Sequence, residues 1–164
     1  MGKLIHGRLK LREAQAFIKK YHRHSLPLRR HKFSIGCYSN RKLVGVVTVD
    51  TPSSHGWSKY KSFVEIRRLC TTGEPNVGSF LLGKAKAACF AMGFFVVVSY
   101  TRPWESGKSY RAAGFVLLKY SLVRYVSQKT DGLLTWYCFD EPPSRQKINE
   151  TKEWLGAIEE FLES

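Results

Sequence analysis

Tyr21-His22-Arg23-His24 concentrates more chemistry-bearing side chains than any other short run in this sequence. An imidazole titrates near neutral pH, so His22 and His24 are candidates for a general base or for metal ligands. Spaced i, i+2, they do not share a helical face and converge on one site only where a helix ends. His31 and Glu65 are the candidates for a third metal ligand. Glu65 and Arg68 stand inside the strand-like stretch from Phe63 to Cys70, where a charge is seldom a packing choice. The carboxylate suits a base and the guanidinium a phosphate contact; the structural alternative is a pair of buried ion pairs with neighbours. Three residues apart, the two are expected on opposite faces of a regular strand.

A second constellation is a loop. Thr71-Thr72-Gly73-Glu74-Pro75-Asn76-Val77-Gly78-Ser79 lies between that strand and an apolar helical stretch. Free N–H groups at a helix start, aided by the helix dipole, bind phosphate. The segment Gly73 to Ser79 is therefore a candidate phosphate cradle, although neither GxxxxGK[ST] nor GxGxxG is present. An ordinary strand–helix connection is the competing reading. Downstream, Ser99, Tyr100 and Thr101 close the next apolar strand, and Glu105, Ser106 and Ser109 follow in a loop. Ligands of open α/β sheets bind at such strand ends.

These groups need a scaffold, and the patterning supplies one. Residues 11–22 read as a helix with Leu11, Ala14, Ile18 and Tyr21 on one face. Strands are expected at about 32–38 and 42–50, joined by the turn Ser39-Asn40-Arg41, followed by a loop to about Ser62. Then come a strand at 63–70, a helix at 80–92 stopped by Gly93, and an apolar strand at 94–100. A short helix at 109–113, strands at 115–120 and 133–139, and an acidic amphipathic helix at 149–163 complete the chain. The expectation is a single α/β domain over residues 1–164, a central mixed open sheet flanked by helices.

The chain is strongly basic, with a formal net charge of +14. After Phe139 the balance reverses, because Asp140, Glu141, Glu150, Glu153, Glu159, Glu160 and Glu163 face only Arg145, Lys147 and Lys152. The positive excess thus belongs to the preceding residues and would attract polyanions, DNA above all. Lys19, Lys20, Arg23, Arg29, Arg30 and Lys32 around Tyr21 form a candidate DNA-contacting run. Tyr21, Trp57 and Trp104 are candidates to stack on a flipped base. A merely solvated basic face is the alternative. Cys37, Cys70, Cys89 and Cys138 form no CxxC pair, which fits reduced thiols and a cytoplasmic protein. No apolar run suits a membrane span or a signal peptide, and no helix-turn-helix or zinc-finger pattern is present.

The stretch from Glu65 to Phe115 resembles the core of the GNAT acyltransferases: strand, pyrophosphate loop, helix, strand, then a short helix ending in Gly114-Phe115 after Tyr110-Arg111-Ala112-Ala113. The usual [QR]xxGx[GA] loop has no clean copy here. EIRRLCTTG (65–73), NVGS (76–79), SYT (99–101), ESGKS (105–109), RAAGF (111–115) and YHRH (21–24) together resemble a GNAT-like group of phages and prophages. That group is similar to the Mom DNA-modification proteins. The likeness spans roughly residues 13–115, with an echo at Pro143-Ser144-Arg145.

The resemblance implies acetyl-coenzyme A or another acyl-coenzyme A, bound along Cys70, Thr71, Thr72, Gly73, Asn76, Val77, Gly78, Ser79 and Ser109. It implies an acceptor pocket bordered by the segment after the first helix, with His22, His24, Glu65 and Arg68 in catalysis and Tyr110 as the acid that protonates the departing thiolate. A core aromatic is the alternative role for Tyr110. It further implies DNA adenine as acceptor, contacted by Tyr21, Arg23, Arg29, Arg30, Lys32, Tyr100 and Glu105, and an association with iron. Two other functions stay open: acetylation of a protein lysine or small amine, and a non-catalytic nucleic-acid-binding module on the same fold.

Overall fold

In the computed structural model the described residues are 2–21, 28–53, 55–124 and 130–139. His22, Arg23, His24, the Pro143-Ser144-Arg145 echo and the acidic helix expected at 149–163 lie outside them.

The chain enters through β1 (Ile5–Leu9) and α1 (Leu11–Tyr21). The Glu13 carboxylate accepts a hydrogen bond from the Lys10 N–H at 2.8 Å, and Lys19 and Lys20 occupy the last turn. Both arrangements suit the ends of a helix. Ala14, Phe17 and Ile18 form the buried stripe, while Tyr21, expected on that stripe, is 41% exposed and packs against Phe17 with the ring planes tilted at 41°. β2 (Phe33–Ser39) and β3 (Lys42–Asp50) make the expected hairpin. Asn40 and Arg41 take φ of 49° and 65°, the left-handed pair that a tight two-residue hairpin demands.

The short α2 (His55–Ser58) interrupts what the sequence presents as loop, and β4 (Phe63–Thr71) follows. Next come α3 (Val77–Ala91), β5 (Val96–Thr101), α4 (Lys108–Ala112), β6 (Val116–Arg124) and β7 (Thr130–Phe139). Among the described residues the sheet has 7 strands in the order β1-β2-β3-β4-β5-β7-β6. β4 and β5 run parallel and the other described pairs antiparallel. This is the expected mixed α/β sheet, with one strand more at its N-terminal edge.

Its two faces carry separate cores. On one, Val47, Val49, Val64, Ile66 and Val97 pack against Leu81, Leu82, Ala85 and Cys89 of α3. A Cβ at Gly45 would come within 2.5 Å of the Val77 side chain and 2.8 Å of Leu81, so glycine on β3 lets the first turns of α3 close onto the sheet. On the other face, Val46 and Cys70 pack under Ala14, Phe17 and Ile18 of α1, and Phe63, Val96 and Val98 pack with Trp57.

The centre of the sheet departs from regularity in two ways that matter for the site. Asp50 pairs with Glu65 and Val49 with Ile66, but Thr48 pairs with Arg68. Arg67 is thus an extra residue on β4, a bulge. Residues 48 and 50 share a face of β3, so their partners Arg68 and Glu65 share a face too. The opposite-face expectation for this pair is therefore corrected, because it assumed a regular strand. In addition, β4–β5 pairing ends at Ile66↔Ser99, although β4 continues to Thr71 and β5 to Thr101. Beyond that point the two parallel strands part, and the facing edge of β4 opens onto the gap.

Candidate active site at the parting of β4 and β5

The loop after β4 ends at an open helix start. The Thr72 N–H and hydroxyl both reach the Val44 carbonyl, at 2.9 and 3.3 Å, which fastens the loop to β3. Gly73 and Asn76 have φ of 97° and 66°, and Asn76 caps α3 without a side-chain hydrogen bond. The first intrahelical bond runs from Phe80 N–H to Asn76 O at 2.9 Å. The N–H groups of Val77, Gly78 and Ser79 precede it and have no carbonyl a turn back to meet. A Cβ on Gly78 would lie 2.7 Å from Ser109 Oγ and 3.2 Å from Ser109 Cβ, so glycine keeps this turn close to α4. Uncapped N–H groups, the positive helix end and a bare Gly78 fit a pyrophosphate. The adjoining open edge of β4 fits an extended chain bearing amides, as a coenzyme A ester has. Cys70 is an exception to the loop's openness: its side chain lies in the cluster under α1, and burial pushes its thiol up to about 11.

Where β5 leaves β4, the buried Ser99 hydroxyl lies 2.8 Å from the Tyr110 hydroxyl. Tyr110 is stacked on Trp136, with centroids 5.5 Å apart and planes at 21°, and stands edge-on to Phe115. Trp136 is itself fixed by a 2.9 Å hydrogen bond to Thr101 Oγ1. Burial pushes the Tyr110 phenol up to about 12, partly offset by the Ser99 bond. At neutral pH it is a protonated phenol with one fixed orientation. Tyr110→Phe keeps the stack and removes the hydroxyl. It is expected to cost about 1 kcal/mol of stability in urea unfolding.

Glu65 lies on the other face of the sheet, one residue before the strands part. It is 4% exposed. Ser53 donates to both of its oxygens, the N–H to Oε2 at 2.9 Å and the hydroxyl to Oε1 at 3.2 Å. Arg67 Nη1 approaches Oε2 at 3.4 Å and donates to Thr51 O at 3.3 Å. Burial raises the Glu65 pKa; the Ser53 bonds and the Arg67 and Arg68 charges hold it partly down. Arg68 donates to the Arg67 carbonyl at 2.7 Å. Tyr100 stacks parallel to Trp57, centroids 6.1 Å apart, and burial pushes its phenol up as well. Asp50, opposite Glu65, binds Arg30 Nε at 3.1 Å. His31 Nδ1 lies 2.6 Å from Ser34 Oγ, and burial lowers the ring's pKa.

The sequence-chosen residues thus fall into groups. Glu65, Arg68 and Tyr100 share one face beside the gap. Gly73, Asn76, Val77, Gly78, Ser79 and Ser109 gather at the start of α3, with Thr71 and Thr72 leading into it, and Tyr110 lies beneath the gap. Arg29, Arg30 and Lys32 are exposed, as are Lys19, Lys20 and Tyr21. The Glu105 carboxylate accepts from the Arg102 N–H at 2.5 Å and so braces its own loop. Trp104 is 72% exposed beside Arg102, whereas Trp57 is buried. Sequence reasoning did not find Ser53, Arg67 or Trp136. Ser53 sits in a Ser/Pro-rich loop with no signal of its own, and Arg67 gains its place only through the bulge. Among the described residues no group of three or more His, Cys, Asp or Glu could hold a metal ion. His22 and His24, the metal-ligand candidates of the sequence, lie outside the described residues. No helix among them is long and apolar enough to cross a membrane.

No family profile and no curated protein matches this sequence. The fold does find counterparts. The ribosomal-protein-S18-alanine N-acetyltransferase of Escherichia coli superposes with a TM-score of 0.66 at 10% identity, over 87% of this chain and 97% of that one. An N-acetyltransferase from Staphylococcus aureus Mu50 gives 0.65 at 14% identity, over 84% and 99%. A Bacillus subtilis acetyltransferase solved in complex with coenzyme A gives 0.59 at 13% identity, over 85% and 100%. The architecture is accordingly that of the GNAT acetyltransferases. Identities this low speak for the fold alone.

Proposed function

We propose that this chain is an acyl-coenzyme A-dependent N-acyltransferase whose acceptor is the N6 amine of adenine in DNA. The observation that carries the acyl-transfer reading is the parting of β4 from β5 after Ile66↔Ser99, set between the uncapped start of α3 and the Glu65 carboxylate. The solved counterpart bound to coenzyme A supports the same cofactor. An acyl-coenzyme A supplies an activated acyl group. The N–H groups of Val77, Gly78 and Ser79 hold the pyrophosphate, and the open edge of β4 aligns the chain that carries the thioester. Backbone N–H groups near Ser99 polarise the thioester carbonyl. Glu65 takes the proton from the attacking amine, and Tyr110 gives one to the departing sulfur. Holding both reactants in line supplies much of the rate.

The adenine acceptor is supported by the Mom-like strings, the net charge of +14, and the exposed Lys19, Lys20, Arg29, Arg30 and Lys32. Mom-like chemistry at an exocyclic amine, a poor nucleophile, calls for a strongly activated donor. The decisive experiment is nucleoside mass spectrometry on DNA from cells expressing the chain, beside an Arg68→Ala control. A heavier deoxyadenosine species that vanishes in the control is the expected result. Unmodified DNA from cells containing the folded protein overturns the adenine acceptor. It favours the second reading, acetylation of a protein lysine or small amine, which the N-acetyltransferase counterparts support.

A further inference from the structure

Glu65 is an awkward base in one respect. It is 4% exposed, so its oxygens are sealed from an incoming amine. The seal is uneven. Oε2 is engaged by the Ser53 N–H and by Arg67 Nη1, neither of which can pass on a proton at neutral pH. Oε1 is engaged by the Ser53 hydroxyl at 3.2 Å. Ser53 itself is exposed. A hydroxyl donates one hydrogen and keeps lone pairs for another donor. Ser53 Oγ therefore has its hydrogen on the buried carboxylate and its lone pairs available on the outer side.

We propose that Ser53 is a catalytic relay: the acceptor amine passes its proton to Ser53 Oγ while the Ser53 hydroxyl proton passes to Glu65 Oε1. The amine N–H and the original Oγ–H bonds break, and a new Oγ–H and an Oε1–H bond form. Ser53 ends unchanged, Glu65 ends neutral, and nothing is oxidised or reduced. The inference rests on the acyl-transfer reading but not on which amine is the acceptor. The charged and titratable groups around Glu65 suit the role. Arg67 and Arg68 on β4 favour the carboxylate between turnovers. Asp50 stands opposite on β3, its carboxylate engaged by Arg30. Tyr100 and Tyr110 are pushed up by burial and stay neutral phenols. Arg67 goes to Oε2 and leaves Oε1 to the Ser53 hydroxyl.

The test compares wild type, Ser53→Ala and Ser53→Thr with acetyl-coenzyme A, using duplex DNA, poly-lysine and spermidine as acceptors. The relay predicts a kcat about 10²-fold lower in Ser53→Ala, an unchanged KM for acetyl-coenzyme A, and recovery in Ser53→Thr. It also predicts a curved dependence of kcat on solvent deuterium fraction in wild type, two protons being in flight, that becomes linear in Ser53→Ala. Unchanged kcat and curvature in Ser53→Ala overturn the relay alone. So does a loss that tracks lower thermal stability and is not rescued by threonine. Carbon-13 titration of the Glu65 carboxyl, assigned by its absence in Glu65→Gln, needs no acceptor. Its midpoint must rise in Ser53→Ala, and an unmoved midpoint overturns the proposal. Wild-type protein that turns over none of the three acceptors overturns the acyl-transfer reading, and the relay with it.

Discussion

Replacing Glu65 by glutamine is expected to lower acyl transfer by about 10²–10⁴-fold, the usual contribution of a positioned proton acceptor. Binding of acetyl-coenzyme A should be unaffected, because the open turn of α3 lies past the other end of the parted strands. Stopped-flow turnover beside a thermal-shift titration separates the two effects. The same variant carries a pH signature in stability. Burial raises the Glu65 pKa, so the folded chain keeps this proton to higher pH than the unfolded chain does. Between the two pKa values the folded state binds more protons, and stability falls as pH rises. The contribution is complete below the ordinary glutamate range and is lost as pH rises through the folded value. In Glu65→Gln that decline should disappear from the plot of urea midpoint against pH. A decline that persists unchanged would assign it to another group and leave Glu65 unburied in solution.

Gly78→Val is expected to abolish cofactor binding. The new Cβ would meet Ser109 Oγ at 2.7 Å and Ser109 Cβ at 3.2 Å, so either α4 or the first turn of α3 must shift. A branched side chain would also crowd the N–H groups of Val77 to Ser79. Wild-type protein at a cofactor concentration 100 times Kd should gain about 2.7 kcal/mol, and the variant should gain none in the same thermal scan. Gly83→Ala provides the control on the same helix. A Cβ there meets nothing within 4 Å, and its stabilisation by acetyl-coenzyme A should match wild type. Full stabilisation of Gly78→Val would remove the pyrophosphate from this loop.

The apolar periodicities made most of the scaffold legible. β3 is found at 42–50 as expected, and α3 begins three residues earlier than its apolar stripe suggested. Its first turn contains Gly78 and Ser79, which read locally as loop residues. β1 escaped notice because it is an edge strand with Leu9 as its one buried residue, so it shows no apolar alternation. α2 is one turn long and falls below any periodic signal.

For the site, the sequence determined the cast more than the arrangement. A carboxylate and a guanidinium in an apolar strand, a glycine-bearing loop ahead of a helix, and a tyrosine before Gly114-Phe115 announce themselves by residue type and local spacing. Their mutual geometry depends on contacts between distant segments. The bulge at Arg67 is visible only in the pairing of β4 with β3, and it alone brings Arg68 to the face of Glu65. The gap beyond Ile66↔Ser99 opens because β5 parts from β4 there while its other edge stays paired with β7 from Val96 to Thr101. Ser53 reaches both oxygens of Glu65 across 12 positions of chain, and Trp136 seats Tyr110 across 26. Local propensity acts within a few residues of chain, whereas strand pairing and burial act across all of it. The kinds of chemistry were therefore set by the sequence, and tertiary structure decided which groups meet.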